Sequence, residues 1–163
     1  MRLPAVPCLL LLLSLFAGLP AAAQSAGLEG STLDGQRFSL EALRGRVVML
    51  FFWNTDCVPC LHKLPELRAN AAGWRGRPFE LVLVSTDRDR AAALGYLQTL
   101  KAVARADPAM SVLWAGDLRF SGPLALPGAV PLTLVIDPQG AIVARHAGRV
   151  APEAWDDVAG LIP

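Results

Sequence analysis

The stretch Trp53-Asn54-Thr55-Asp56-Cys57-Val58-Pro59-Cys60 decides the fold, because it places two cysteines two residues apart directly after an apolar run. That run, Val47–Phe52, is typical of a buried β-strand, and the residues after Cys60 have helical composition. Cys57 is therefore expected where a strand ends and a helix begins. The unpaired N–H groups and the positive end of the helix dipole favour a thiolate there. A thiolate is the nucleophile of thiol–disulfide exchange.

The first 23 residues have the layout of a secretory signal peptide. Met1-Arg2 is a short basic start, Leu9–Leu19 is an apolar core, and Ala21-Ala22-Ala23 is a small-residue cleavage site. We expect cleavage after Ala23 and a soluble mature protein in the periplasm or another extracytoplasmic compartment. The alternative is an uncleaved membrane anchor, although the apolar core is shorter than the roughly 20 residues of a span. Cys8, inside this core, is interpreted as an incidental apolar residue.

The mature part carries no charge bias. The chain has 15 Lys and Arg, of which Arg2 belongs to the signal peptide, and the remaining 14 equal the 14 Asp and Glu. Nothing in this balance indicates nucleic acid or an anionic membrane surface as a partner. The roughly 140 mature residues suit one domain with its own hydrophobic core. We assign residues 24–29 to a linker and 30–163 to the domain, and expect a monomer.

Strands and helices alternate along the domain. The pattern predicts a central mixed sheet covered on both faces, which is an α/β fold. Pro65 is expected to kink the first long helix, and residues 115–129, rich in Gly and Pro, are expected to be irregular. The predicted elements are a hairpin over 33–38, a one-turn helix over 40–43, strands over 47–53, 79–85, 111–114, 132–136 and 141–146, and helices over 58–73, from residue 87 or 89 to about 105, and over 152–161.

Several stretches, in the right order, carry a resemblance to a known family. They are Leu43-Arg44-Gly45-Arg46, Phe52-Trp53 through Cys57-Val58-Pro59-Cys60, Leu64-Pro65-Glu66-Leu67, Val130-Pro131-Leu132-Thr133 and Ile136-Asp137-Pro138-Gln139-Gly140. In these stretches the chain resembles the thioredoxin superfamily, and within it the exported TlpA/ResA-like thiol–disulfide oxidoreductases. The resemblance covers nearly all of residues 30–163. It implies a thioredoxin-like fold, with helices flanking the sheet and an N-terminal hairpin.

The resemblance also implies roles for matching residues. Cys57 would be the attacking thiol and Cys60 the thiol that resolves the mixed disulfide. Pro131 would be cis and lie against the cysteines, and Val130 would offer its backbone to an incoming peptide as an added strand. Pro59 would preset the helix's first turn.

Trp53 would pack beside the active site. Implied partners are client proteins with thiols or disulfides and a membrane thiol–disulfide electron carrier. The implied direction is reduction, serving cytochrome c or copper-site maturation. No cofactor and no metal site is predicted.

Three positions depart from the family pattern. Asp56 stands where many relatives have tryptophan before the first cysteine, and its carboxylate disfavours a neighbouring thiolate. Phe51 replaces a buried acidic or amide residue, and Val58 replaces a glutamate found in some reductive relatives. Two further residues have open roles: His62 could tune a thiol, and Trp114 could touch a client.

Other functions for the cysteine pair stay open. A structural disulfide would close a very small loop and contribute little through loop entropy, and a zinc site would need two more ligands. A Sco-like copper delivery protein would use a wider cysteine spacing. A thiol peroxidase would have proline at Leu50 and threonine at Asn54. A redox-inactive binding module on the same fold is the remaining alternative.

Overall fold

The computed structural model describes residues 25–103 and 110–163, and the signal-peptide prediction lies outside them. Alternation of buried and exposed residues, and the long apolar runs, produce eight strands and three helices in this part of the chain. The strands are β1 Gly27–Ser31, β2 Arg37–Ser39, β3 Val47–Trp53, β4 Phe79–Ser85, β5 Met110–Trp114, β6 Arg119–Ser121, β7 Leu132–Ile136 and β8 Ile142–Ala147. The helices are α1 Val58–Gly73, α2 Arg90–Val103 and α3 Ala154–Leu161.

Five strands form the central sheet in the order β5-β4-β3-β7-β8. β3 runs parallel to β4 and antiparallel to β7, so the sheet is mixed as predicted. All seven residues of β3 are buried, which explains why its sequence is a continuous apolar run rather than an alternating one. The carboxyl end of this central strand leads directly to the cysteines.

The two faces of β3 belong to two hydrophobic clusters, because successive side chains of a strand point to opposite faces. The odd-numbered residues, Phe51 and Trp53 among them, pack with buried residues of all three helices, such as Leu64 and Leu67. The even-numbered residues, Phe52 among them, pack against a second, three-stranded sheet. That sheet has the order β2-β1-β6. The central sheet is therefore covered on both faces, once by helices and once by strands.

The linker predicted over 24–29 is wrong in its second half, because Gly27–Ser31 is the central strand of the small sheet. Two glycines in five residues lower the local strand propensity, and the strand exists because Leu28 is buried and both edges find partners. The irregular segment predicted over 115–129 likewise contains β6, whose Phe120 ring lies 6.3 Å from that of Phe52. Both strands form because they pair with other strands of the small sheet, and a local sequence pattern does not reveal such pairing.

The other predicted elements are present with small shifts. The hairpin turns at Gly35, whose φ of 85° needs a glycine. α1 continues through Pro65. α2 begins at Arg90 after Asp89, which accepts a hydrogen bond from the N–H of Ala91, and its predicted end near residue 105 lies outside the described residues. Within residues 25–103 and 110–163, none of the helices combines the length and the apolar composition that crossing a bilayer requires.

Candidate active site

Cys57 and Cys60 form a disulfide at the start of α1, with their Cα atoms 5.2 Å apart. Cys57 is the N-cap residue, outside the helix, and Cys60 lies within its first turn. Pro59 stands at one of the first two helical positions, as the sequence predicts. A proline is well tolerated there because an N–H in the first turn has no partner inside the helix.

The two sulfurs differ in access to solvent. Cys57 is 9% exposed and Cys60 is completely buried. Asp56, just before the pair, and Val58, just after Cys57, are both exposed. Both cysteines are thus largely buried, and Cys57 alone of the two keeps some exposure, between two exposed neighbours.

The helix start provides a polar environment for the outer sulfur. The N–H of Cys60 donates to the Sγ of Cys57 at 3.2 Å. The carbonyl of Cys57 accepts from the N–H of Leu61 at 3.0 Å, so the residue is fixed by both its backbone and its side chain. A negative charge on this Sγ would gain from the N–H group and from the positive end of the helix.

The loop between β3 and α1 is held by Asp87, a residue whose role the sequence did not reveal. Its carboxylate accepts from the N–H and the hydroxyl of Thr55, two residues before Cys57, and from the buried hydroxyl of Ser85. The backbone carbonyl of Asp87 accepts from the Trp114 indole at 2.8 Å. The sequence signal for this role was an aspartate soon after a buried strand. An aspartate in that place is also a favoured helix N-cap, so the signal did not distinguish the two roles.

Trp53 lies at the end of β3 with its side chain fully buried. Its ring centroid is 4.8 Å from that of Tyr96 on α2. Burial raises the pKa of the Tyr96 phenol, and the positive charge of Arg68 opposes this shift. Trp53 therefore ties the strand that precedes the cysteines to the helix layer.

Val130 and Pro131 lie just before β7, and the peptide bond between them is cis. The carbonyl of Pro131 accepts from the N–H of Gly148, just after β8, at 2.8 Å. Gly148 has a φ of 80°, a conformation that favours glycine. One hydrogen bond thus joins the two loops at this edge of the sheet.

A groove of about 340 Å³ runs between the start of α1 and these two loops. Its helical wall consists of residues from the first turns of α1, most of them with a partner three or four positions away on the same face. Its other wall is the two joined loops. The lining residues are Val58, Pro59, His62, Lys63, Glu66, Pro131, Gly148 and Arg149.

An ion pair crosses the floor of this groove. Lys63 Nζ donates to Glu66 at 2.6 Å and to the carbonyl of Val150 at 3.0 Å. The indole N–H of Trp155 donates to the same Glu66 oxygen at 2.8 Å. Burial pushes the pKa of Glu66 upward, but the two hydrogen bonds and the Lys63 charge outweigh it and hold the pKa below its ordinary value.

The structure brings Cys57, Cys60, Pro59, His62 and Pro131 to one end of the domain, together with Trp53 and Val130. His62 is exposed. His146 lies on β8 opposite Thr133. Among the described residues, no group of three or more His, Cys, Asp and Glu could hold a metal ion.

A sequence profile described as the AhpC/TSA family matches residues 21–145. The chain belongs to the AhpC/TSA family. The resemblance to the thioredoxin superfamily is thereby confirmed.

Curated relatives of this AhpC/TSA chain include two bacterial proteins. The thiol-disulfide oxidoreductase ResA of Bacillus subtilis is 25% identical over 131 residues, which are 79% of this chain and 68% of ResA. The thiol:disulfide interchange protein DsbE of Escherichia coli is 30% identical over 131 residues, which are 80% of this chain and 65% of DsbE. A chloroplastic protein of Arabidopsis thaliana, SUPPRESSOR OF QUENCHING 1, is 32% identical over 117 residues, and the match spans only 11% of its length.

Solved structures resemble the AhpC/TSA chain over most of its length. A thiol:disulfide interchange protein of the thioredoxin family from Chlorobium tepidum has a TM-score of 0.65 at 20% identity, covering 85% of this chain and 94% of that one. A putative thioredoxin from Neisseria meningitidis has a TM-score of 0.67 at 16% identity, covering 84% and 88%. At these identities the likeness concerns the fold, which is thioredoxin-like.

Proposed function

We propose that the protein is an exported dithiol–disulfide oxidoreductase that exchanges the dithiol form of Cys57 and Cys60 with disulfides of client proteins. One observation carries the proposal: the cysteine at the N-cap of α1, which keeps 9% exposure between exposed neighbours, is bonded to a cysteine in its first turn with no exposed surface. A purely structural bridge would have no need of that asymmetry, and it would add little stability across so short a loop. The names of the ResA and DsbE relatives support the same reaction class.

The proposed reduction proceeds in two exchanges. The Cys57 thiolate attacks one sulfur of the client disulfide, and the other client sulfur leaves as a thiolate and takes up a proton. The Cys60 thiol then loses its proton and attacks the Cys57 sulfur of the mixed disulfide. The second client thiol is released, two electrons have passed to the client, and the Cys57–Cys60 bond has formed again.

Four neighbouring residues would support these steps. Pro59 presets the first turn of α1, and Trp53 fixes the end of β3. Pro131 would lie against the cysteines, and Val130 would offer its backbone to an extended client segment, which would bind as an added strand. Asp56 would act against the thiolate, because its carboxylate lies next to Cys57 in the sequence.

The proposed direction is reduction in the periplasm or a comparable compartment. A membrane thiol–disulfide electron carrier would resupply electrons, and the clients would be proteins in cytochrome c or copper-site maturation. The domain would act as a monomer, either released by cleavage after Ala23 or anchored by the uncleaved segment. The direction depends on the reduction potential, which spans roughly −270 to −120 mV across related folds.

A redox titration tests the reaction. The purified protein is equilibrated in glutathione buffers of graded composition, and free thiols are counted by alkylation and mass spectrometry. We expect one reversible two-electron transition that the variant Cys57→Ser abolishes. Failure to interconvert would leave a redox-inactive binding module on this fold.

A trapping experiment in the native host tests the partners. Cys60→Ser should accumulate mixed disulfides on Cys57, and mass spectrometry would identify both clients and electron donor. Cys57→Ser, which keeps the buried thiol only, is the matched control. Tight one-to-one copper binding by the reduced protein, or peroxide consumption well above that of a free thiol, would instead favour the copper-delivery or the peroxidase alternative.

A further inference from the structure

The groove beside the disulfide is lined by both apolar and cationic residues. Val58 is 60% exposed, an unusual exposure for a large apolar side chain in this domain, and with Pro59 and Pro131 it forms the apolar part of the lining. Arg149 lines the same groove from the loop after β8. Apolar surface left open beside a reactive bond is expected to be covered when a client is bound.

The charges in the groove do not cancel. Glu66 is the only carboxylate among the lining residues, and Lys63 neutralises it in a 2.6 Å contact. Arg149 takes part in no ion pair or side-chain hydrogen bond among the described residues. Among the described residues that line the groove, Arg149 is therefore the unpaired cation, and none is an unpaired anion that would repel a negative ligand.

We propose that this groove selects client segments in which an apolar residue next to the reactive cysteine is followed by an acidic side chain that pairs with Arg149. The proposal rests on the proposed oxidoreductase function and names the class of client it serves. The apolar client residue would cover Val58 and Pro131, and the acidic one would find the free guanidinium. A basic client segment would meet Arg149 and the Lys63 side of the groove and be repelled.

Three peptides test the proposal, each with one cysteine held in a mixed disulfide with uncharged 2-mercaptoethanol. Each peptide has a leucine next to the cysteine. The three peptides differ only in the residue that follows this leucine, which is Asp, Asn or Lys. The purified protein is reduced, freed of reductant and mixed with each peptide at low ionic strength, and the released peptide thiol is followed by mass spectrometry. We expect the Asp peptide to react about two- to fivefold faster than the Asn peptide, the range of one exposed ion pair, and the Lys peptide to react slowest.

Two charge reversals complete the test. Arg149→Glu should invert the order of the peptides, whereas Arg75→Glu, an exposed position at the far end of α1, makes the same change of net charge and should preserve it. High salt should compress the differences in the unmodified protein. Bis(2-hydroxyethyl) disulfide, which is uncharged, should be reduced equally fast by the unmodified protein and by Arg75→Glu.

The outcomes separate the two proposals. Equal rates for the three peptides, or an order that Arg149→Glu leaves unchanged, would overturn the client selectivity while the reduction itself stands. Failure to reduce any of the disulfides, the uncharged one included, would overturn the oxidoreductase function and the selectivity together.

Discussion

The carboxylate of Asp87 binds Thr55 twice, accepting from its N–H at 2.9 Å and from its hydroxyl at 2.7 Å. The other carboxylate oxygen accepts from the hydroxyl of Ser85, which has no exposed surface. One side chain after β4 thereby fixes the loop that leads into Cys57. The position of the outer sulfur depends on a residue thirty positions away in the sequence.

Replacing this carboxylate should destabilise the protein. We expect Asp87→Ala to lower the free energy of unfolding by about 2–3 kcal/mol, because hydrogen bonds to a charged group are lost and the buried Ser85 hydroxyl loses its acceptor. Urea denaturation of the oxidised protein measures the change. Asp56→Ala, which removes an exposed carboxylate from the neighbouring loop, is the matched control and should change stability little. Equal stability of the two variants would show that the loop does not depend on Asp87.

The two cysteines should differ in reactivity once reduced. Iodoacetamide should label Cys57 before Cys60, because Cys57 retains some exposure and lies at the helix N-terminus, whereas Cys60 has none. A short alkylation followed by peptide mass spectrometry gives the order. The same reaction in concentrated urea should label both equally. Earlier labelling of Cys60 in the folded protein would contradict the proposed assignment of attacking and resolving thiols.

Tyr96 provides a direct electrostatic probe, because it is the only tyrosine in the sequence. Burial raises the pKa of its phenol above 10.0 and Arg68 opposes that shift. The absorbance rise of tyrosinate should therefore occur at higher pH in the folded protein than in urea. Arg68→Ala should move it higher still, whereas Arg75→Ala should not. A folded-state titration that coincides with the unfolded one would contradict the burial of this ring beside Trp53.

The ion pair in the groove should make stability depend on pH in the acid range. The pKa of Glu66 is lower in the folded protein than its ordinary value of 4.5. The stabilisation of the folded state by the Glu66 carboxylate is therefore complete above pH 4.5 and is lost as the pH falls through the folded-state pKa. At pH 7, Glu66→Gln should cost up to about 1 kcal/mol, since the carboxylate is partly exposed.

Below pH 4.5 the difference between Glu66→Gln and the unmodified protein should shrink. Thermal denaturation across this pH range measures it. Glu153→Gln serves as the control, because Glu153 is exposed and makes no side-chain capping hydrogen bond. A cost that stays constant with pH would show that the hydrogen bonds, and not the charge, are what Glu66 contributes.

Gly148 should resist replacement. Its positive φ makes Gly148→Ala cost about 1–2 kcal/mol, and the strain would act on the loop that donates to Pro131. Gly128→Ala, where φ is not positive and an added methyl group meets no neighbour, is the control. Urea denaturation compares the two. Equal stability would mean that the loop after β8 relaxes without loss.

The cysteine pair, its helix and the central strand were predictable because their signals are local. A seven-residue apolar run is typical of a strand buried on both faces, and the first cysteine follows it after three residues. The proline segment before β7 was predictable for the same reason, because its signal is the local sequence Val130-Pro131.

Other features were not predictable because distant segments create them. Gly27–Ser31 looks like a linker and becomes a strand only because β2 and β6 pair with it. Asp87 looked like a helix cap, and its partner Thr55 belongs to another loop. Arg149 and Val58 share a groove although ninety residues separate them in the chain. Each of these depends on which loops the topology brings together.

Hydrogen bonds connect the walls of the groove in the protein without a client. Lys63 reaches across to the carbonyl of Val150, and Gly148 holds Pro131. A bound segment would therefore spend little of its binding free energy on organising the protein. Selectivity among clients would then appear in the rate constant of association, and not in a slow conformational change after binding.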